Sequence, residues 1–212
     1  MIRIQSFQFS PIQENTYVLY NEFNKCLVID PGCYYDDERD MLAGFISKMN
    51  LEPQMLLNTH CHLDHVFGNK FVADKYSLTL QIHEREKFVL DFAPKSGLMY
   101  NLPFDNYMGP IIYLKEGDRI KLGEDELEVI EAPGHSPGHI CFYCPKQGFI
   151  ISGDVLFQRS IGRTDLPGGD HEQLLKNIRE KLFVLPDSTI VYSGHGPETT
   201  IGEEKLYNPF LQ

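Results

Sequence analysis

Apolar positions recur along this chain with two different periods, and the period changes at clusters of turn-forming residues. Residues 2–9, 15–20 and 25–30 are short, β-rich runs separated by turn formers, which predicts three strands. Over 36–49, Met41, Leu42, Phe45, Ile46 and Met49 fall at helical spacing. A strand is expected over 55–59, and the spacing of Leu63, Phe67 and Phe71 then predicts a helix opening near residue 63. Residues 78–82 read as one more buried strand. The second half repeats the plan, with strands at 119–122, 126–131, 140–144 and 149–152, then a helix, then a strand at 189–192. Asp170 followed by Gln173 marks that helix start, and Leu174, Ile178 and Leu182 give it one apolar face. Two β-rich halves with helices outside are what two packed sheets covered by helices require.

Residues 88–110 break the regularity. Phe92, Pro94, Gly97, Met99, Tyr100, Pro103, Phe104, Tyr107 and Pro110 follow no clean period. Their aromatic content argues against disorder, so this stretch is expected to be an irregular flap partly covering a site.

Length and composition narrow the class. The 212 residues predict one domain spanning 1–212, large enough to bury a core without disulfides. A formal charge of −11 with scattered Lys and Arg argues against a nucleic-acid partner. No apolar run approaches a membrane span, and residues 1–9 alternate as a strand instead of reading as a signal peptide. Five cysteines, an odd number, suggest reduced thiols in the cytoplasm. Cys141 and Cys144 have C-x-x-C spacing, but within a strand their side chains face opposite ways.

The chemistry concentrates in Thr59-His60-Cys61-His62-Leu63-Asp64-His65, four potential metal ligands in six residues. Imidazole nitrogen and carboxylate oxygen suit zinc, iron or manganese. His60 and His62 leave a strand end on the same side, whereas Asp64 and His65 open a helix, so one turn presents ligands on two fronts. The bland alternative is four polar residues on an ordinary loop. Three further positions weigh against it: His135 in Pro133-Gly134-His135, Asp154 in Ser152-Gly153-Asp154 and His195 in Ser193-Gly194-His195. Each follows a β-rich apolar run and a glycine, at the strand ends where scaffolds carry working groups.

This ordered set resembles the metallo-β-lactamase fold superfamily. The segments 153–157 and 161–170, with the ending Ser193-Gly194-His195-Gly196-Pro197 to Asn208-Pro209-Phe210, resemble its short glyoxalase II-like hydrolases. The resemblance implies a four-layer αβ/βα sandwich, two mixed β-sheets flanked by helices, with a binuclear site where the sheets meet. It implies that His60, His62 and His135 hold one divalent metal ion, that Asp64, His65 and His195 hold the other, and that Asp154 bridges them. Zinc is the first expectation, with iron or manganese as alternatives. The implied reaction is cleavage of a small thioester such as S-lactoylglutathione by a metal-generated hydroxide that Asp64 orients. No G-x-S-x-G pattern suggests a protein nucleophile.

Outside the ligand set, Arg163 is the one candidate for substrate binding. It stands where long glyoxalase II enzymes carry a Lys that meets glutathione, and it could hold a carboxylate bidentately. The other reading is that it braces its own loop through Asp165. This chain departs from those enzymes in having Asp165 where they have Tyr, and in lacking their C-terminal helical domain. His83, which opens a charged run, is expected at the surface, His139 and His171 read as structural or solvated, and Asp30 as a support for a ligand histidine or a turn former. Two other functions fit the fold: a mononuclear iron persulfide dioxygenase, and a lactonase or β-lactamase-like hydrolase. A small molecule is the expected partner in each case, and the sequence is silent on oligomeric state.

Overall fold

In a computed structural model covering residues 1–212, the alternation of the first strands divides their side chains between two cores. Strands β1 (Arg3–Phe9), β2 (Glu14–Tyr20) and β3 (Lys25–Ile29) pair antiparallel, and β4 (Glu52–Leu57), β5 (Leu80–His83) and β6 (Ile111–Leu114) continue the sheet in parallel. The second sheet runs β14-β13-β10-β9-β8-β7. These are β7 (Arg119–Leu122), β8 (Asp125–Glu131), β9 (Ile140–Cys144), β10 (Phe149–Gly153), β13 (Ile190–Ser193) and β14 (Thr199–Thr200). A small hairpin of β11 (Leu156–Phe157) and β12 (Ser160–Ile161) leaves the end of β10.

Tyr17, Leu19, Leu27, Ile29 and Leu57 meet Leu127, Val129, Phe142 and Ile151 between the sheets. The intervening Val18, Val28 and Leu56 face outward onto α1 (Asp36–Lys48), α3 (Asn69–Tyr76) and α4 (Glu86–Met99) through Leu42, Ile46, Val72 and Leu90. On the other side, Ile130, Cys141, Ile150 and Val191 meet α5 (His171–Asn177), its π-helical continuation Ile178–Leu182, and α6 (Ile201–Tyr207). Helix, sheet, sheet, helix is the expected four-layer sandwich. Cys141 faces the outer core and Cys144 the inner one, so their spacing cannot form a paired thiol site. Asp170 caps α5 by accepting from the Gln173 N–H at 3.0 Å, as its sequence signature implies. No helix is long and apolar enough to cross a membrane.

Two expectations need correction. The helix expected from residue 63 is two short ones, α2 (Leu63–Val66) and α3, because the Gly68 N–H turns aside to Pro31 O at 2.7 Å. A Cβ at Gly68 would lie 2.4 Å from Cys33 Sγ, so only glycine fits there. The larger correction concerns 88–110: its first half is not an irregular flap but most of α4. Pro94 lies inside this helix and has no N–H for the Leu90 carbonyl. Asn106 Nδ2 donates to that carbonyl instead, at 2.7 Å, which satisfies the orphaned acceptor and ties the following extended segment back onto the helix.

Candidate metal centre

Four strand ends converge on one rim of the sandwich. The turn after β4 carries His60 and His62, and α2 follows with Asp64 and His65. The turns after β8, β10 and β13 bring His135, Asp154 and His195. All seven side chains singled out in the sequence therefore meet. His60, His62 and His135 form one group whose ligand atoms lie within 4.8 Å of one another, and Asp64, His65 and His195 form a second. Asp154 stands between them, with Oδ2 3.5 Å from His135 Nε2 and 3.6 Å from His195 Nε2, and Oδ1 3.4 Å from His65 Nε2.

Backbone and side-chain acceptors fix which nitrogen each ring presents. Thr59 Oγ1 donates to Asp30 Oδ2 at 2.6 Å and so accepts from His60 Nδ1 at 3.1 Å, leaving His60 Nε2 a bare lone pair. His135 Nδ1 donates to the Arg163 carbonyl at 2.7 Å, which leaves its Nε2 bare as well. His195 Nδ1 donates to Gln13 O at 3.2 Å and turns Nε2 towards Asp64 Oδ2, 3.1 Å away. Two bare lone pairs, His60 Nε2 and His135 Nε2, then lie 3.2 Å apart, with His62 Nδ1 2.8 Å from the latter. Such a cluster repels itself unless a cation sits among the nitrogens. On the side facing the centre, His65 Nε2 and Asp154 Oδ1 are buried without hydrogen-bond partners, which fits atoms that ligate a metal. The donor set fits two divalent ions.

Electrostatics divide the two groups. Burial first, then the imidazoles of His65 and His135, hold His60 well below its usual pKa. Burial and then His135 push His62 down to about 3, and burial also lowers His135. All three shifts favour the neutral ring, the form that ligates metal. In the second group burial opposes charge on His65, but Asp154, Asp64 and Asp30 outweigh it and raise the ring well above its usual pKa. Burial is likewise outweighed at Asp154, where His65, His195 and His135 hold the carboxyl far below the usual carboxylate range.

Several supports were not singled out in the sequence. Glu86, fully buried at the start of α4, accepts from Cys61 N–H at 2.8 Å, Ser136 Oγ–H at 2.5 Å and Gly138 N–H at 2.7 Å. One carboxylate thereby joins the His60–His62 turn to the His135 turn. Asn15 Nδ2 donates to Ser193 O at 3.0 Å and Gly196 O at 2.8 Å, clamping the His195 loop. His139, read from sequence as structural or solvated, is fully buried under the site. It stacks on His60 at 4.7 Å, and its Nε2 accepts from the Asp154 N–H at 3.1 Å. His83, expected at the surface, is instead buried, because β5 carries it against the second sheet, where its Nε2 lies 3.1 Å from Glu131. Asp30, at φ 48°, is a support: besides Thr59 Oγ1 it accepts from Thr59 N–H at 2.7 Å, and its Oδ2 lies 3.1 Å from His65 Nδ1.

Arg163 lines the cavity of about 480 Å³ above the ligands. Its guanidinium is engaged by Asp165 at 2.7 Å through both Nε and Nη2, so the side chain braces its own loop while its carbonyl holds His135. These are the contacts of the loop brace, made by a residue that also lines the cavity where a substrate would sit.

Known proteins are similar to this chain. A family model described as the metallo-beta-lactamase superfamily matches residues 10–195. The probable metallo-hydrolase YqgX of Bacillus subtilis is 41% identical over 95% of this chain and 93% of its own length. The hydroxyacylglutathione hydrolase GloC of Haemophilus influenzae is 36% identical over 99% of this chain and 98% of its own. Among solved structures, BLEG-1 B3 metallo-beta-lactamase superposes with a TM-score of 0.91 at 40% identity, covering 99% of this chain and all of that one. TTHA1623, solved in a di-iron-bound form, gives 0.89 at 35% identity over 98% of this chain and all of its own. With the match running through the turns that carry all seven ligand-type side chains, this chain belongs to the metallo-β-lactamase superfamily.

Proposed function

We propose that this protein is a binuclear metal-dependent hydrolase of small thioesters, with S-lactoylglutathione as the reference substrate. The observation that carries the reading is the convergence of two three-residue ligand groups on either side of Asp154. The di-iron form of TTHA1623 and the hydroxyacylglutathione hydrolase activity named for GloC support it. His60, His62 and His135 would hold one ion, Asp64, His65 and His195 the other, and Asp154 both. Ions held there, zinc first and iron or manganese as alternatives, would supply a hydroxide at neutral pH and polarise a carbonyl oxygen. Asp64, rimmed by His195, orients the attacking water, while Thr59, Arg163 O and Gln13 O keep the imidazoles pointed inward. We place the reaction in the cytoplasm, where the five free cysteines stay reduced.

The likeness to BLEG-1 favours a second reading, hydrolysis of a β-lactam or lactone ring by the same centre. Metal-loaded protein assayed on S-lactoylglutathione, a lactone and a β-lactam, with and without chelator, ranks them. Oxygen consumption with glutathione persulfide and no hydrolysis of any of the three would replace both readings with a dioxygenase.

A further inference from the structure

The cavity above the ligands has a wall whose chemistry is unlike the site below it. Eleven of its nineteen lining residues are hydrophobic, and beyond the ligand-type side chains Arg163 is the one charged residue among them. Phe88, Phe92, Ser96 and Tyr100 lie four residues apart along α4 and its C-terminal cap, a single stripe facing the opening. Phe88 and Phe92 stack with ring centroids 6.3 Å apart, and Phe88 is 66% exposed at the mouth. Phe157 and Leu166 close the other side. An aromatic pair at the mouth of a mostly apolar cleft, Phe88 exposed and Phe92 half-buried, marks a place where an apolar ligand group is covered.

The charge pattern points the same way. A substrate carboxylate entering here would meet a guanidinium whose charge is already offset by Asp165, which accepts from its Nε and Nη2 at 2.7 Å. It would also approach Asp64 and Asp154 in a protein of formal charge −11.

We propose that this wall is a subsite for an uncharged, apolar substrate group, so that the enzyme prefers neutral thioesters and leaves carboxylates such as those of glutathione in solvent. The proposal rests on the hydrolase reading for its substrate, but the subsite can be tested without turnover. The probes are two non-hydrolysable thioethers, S-hexyl-N-acetylcysteamine and the same molecule with a terminal carboxylate on the hexyl chain. Their Kd values for zinc-loaded protein are measured by calorimetry.

The neutral ligand is expected to bind at least about tenfold more tightly. Phe92→Ala should weaken it by roughly tenfold, equivalent to about 1.4 kcal/mol of lost apolar contact. Phe88→Ala, at an exposed position that folding does not need, should weaken it in the same direction. Asp165→Asn, which frees the guanidinium, should narrow the gap by improving the carboxylate ligand alone. Equal or tighter binding of the carboxylate ligand to wild type overturns the proposal, as does unchanged affinity in both phenylalanine variants. The hexanoyl thioester of N-acetylcysteamine, assayed alongside, separates the two claims. Selective binding with no hydrolysis of any thioester fails the hydrolase reading and keeps the subsite. Hydrolysis of the thioester together with equal or tighter binding of the carboxylate thioether does the reverse.

Discussion

Glu86 offers the sharpest perturbation of the centre that touches no ligand. Its carboxylate accepts hydrogen bonds from both ligand turns at once, taking Cys61 N–H from one, and Ser136 Oγ–H and Gly138 N–H from the other. Glu86→Ala would strand three donors at a fully buried position. Each buried unsatisfied group costs about 1–3 kcal/mol, with partial relaxation and water entry reducing the sum. We expect a loss of about 3–5 kcal/mol, which for a domain of this size lowers Tm by roughly 6–20 °C. With the turns no longer tied, zinc affinity should fall by about tenfold to a hundredfold, the usual effect of removing a support behind metal ligands. Glu86→Gln should fall between the two, because one amide oxygen still serves Ser136 and Gly138 while its NH₂ opposes Cys61 N–H. Denaturant unfolding of stripped protein gives the stability, and competition with a chromogenic chelator gives the affinity. Glu86→Ala within about 0.5 kcal/mol of wild type and with unchanged zinc affinity would refute the reasoning, since the turns would then be held by something else.

Three other outcomes follow from the same geometry. Stripping metal should lower Tm by roughly 8–16 °C, because ions present at a thousand times Kd contribute about 4 kcal/mol, and calorimetry with and without chelator reads this directly. Asn15→Ala removes the clamp on the His195 loop and should cost about 1–2 kcal/mol while weakening one of two bound ions, visible as a split in a previously uniform chelator titration. Gly153→Ala should destabilise by more than about 2 kcal/mol, since its φ is 50° and an added Cβ would lie 2.4 Å from Thr59 Oγ1 and 2.7 Å from His139 Nε2; a melting curve matching wild type would show that the turn has slack.

The seven ligand-type residues were legible because each sits beside a strand end that the alternation of apolar residues already marks. The sandwich was legible from the β-rich runs themselves, such as Tyr17, Val18 and Leu19, whose side chains divide between the two cores once the strand is formed. What was hidden depends on non-local pairing. Glu86 meets partners 25, 50 and 52 residues away, and no spacing signals them. Helix α4 was obscured by Pro94 and Gly97, and the compensating donor, Asn106, lies beyond the helix it rescues. Strand β6 was missed because it is a four-residue edge strand with Ile112 and Tyr113 half exposed, so its pattern lacks the alternation of a half-buried strand. His139 carries no ligand spacing, and its place beneath His60 arises only when β9 is laid beside the β4 turn, where Ile140 N–H meets Thr59 O.

On the proposed reading, two ions, one in each ligand group, act together on a thioester. Titrating zinc into metal-stripped protein while following hydrolysis of a neutral thioester tests this. The structure predicts a rate that rises to a plateau at two equivalents per chain in wild type. A plateau at one equivalent, or no hydrolysis with both groups filled, would contradict it.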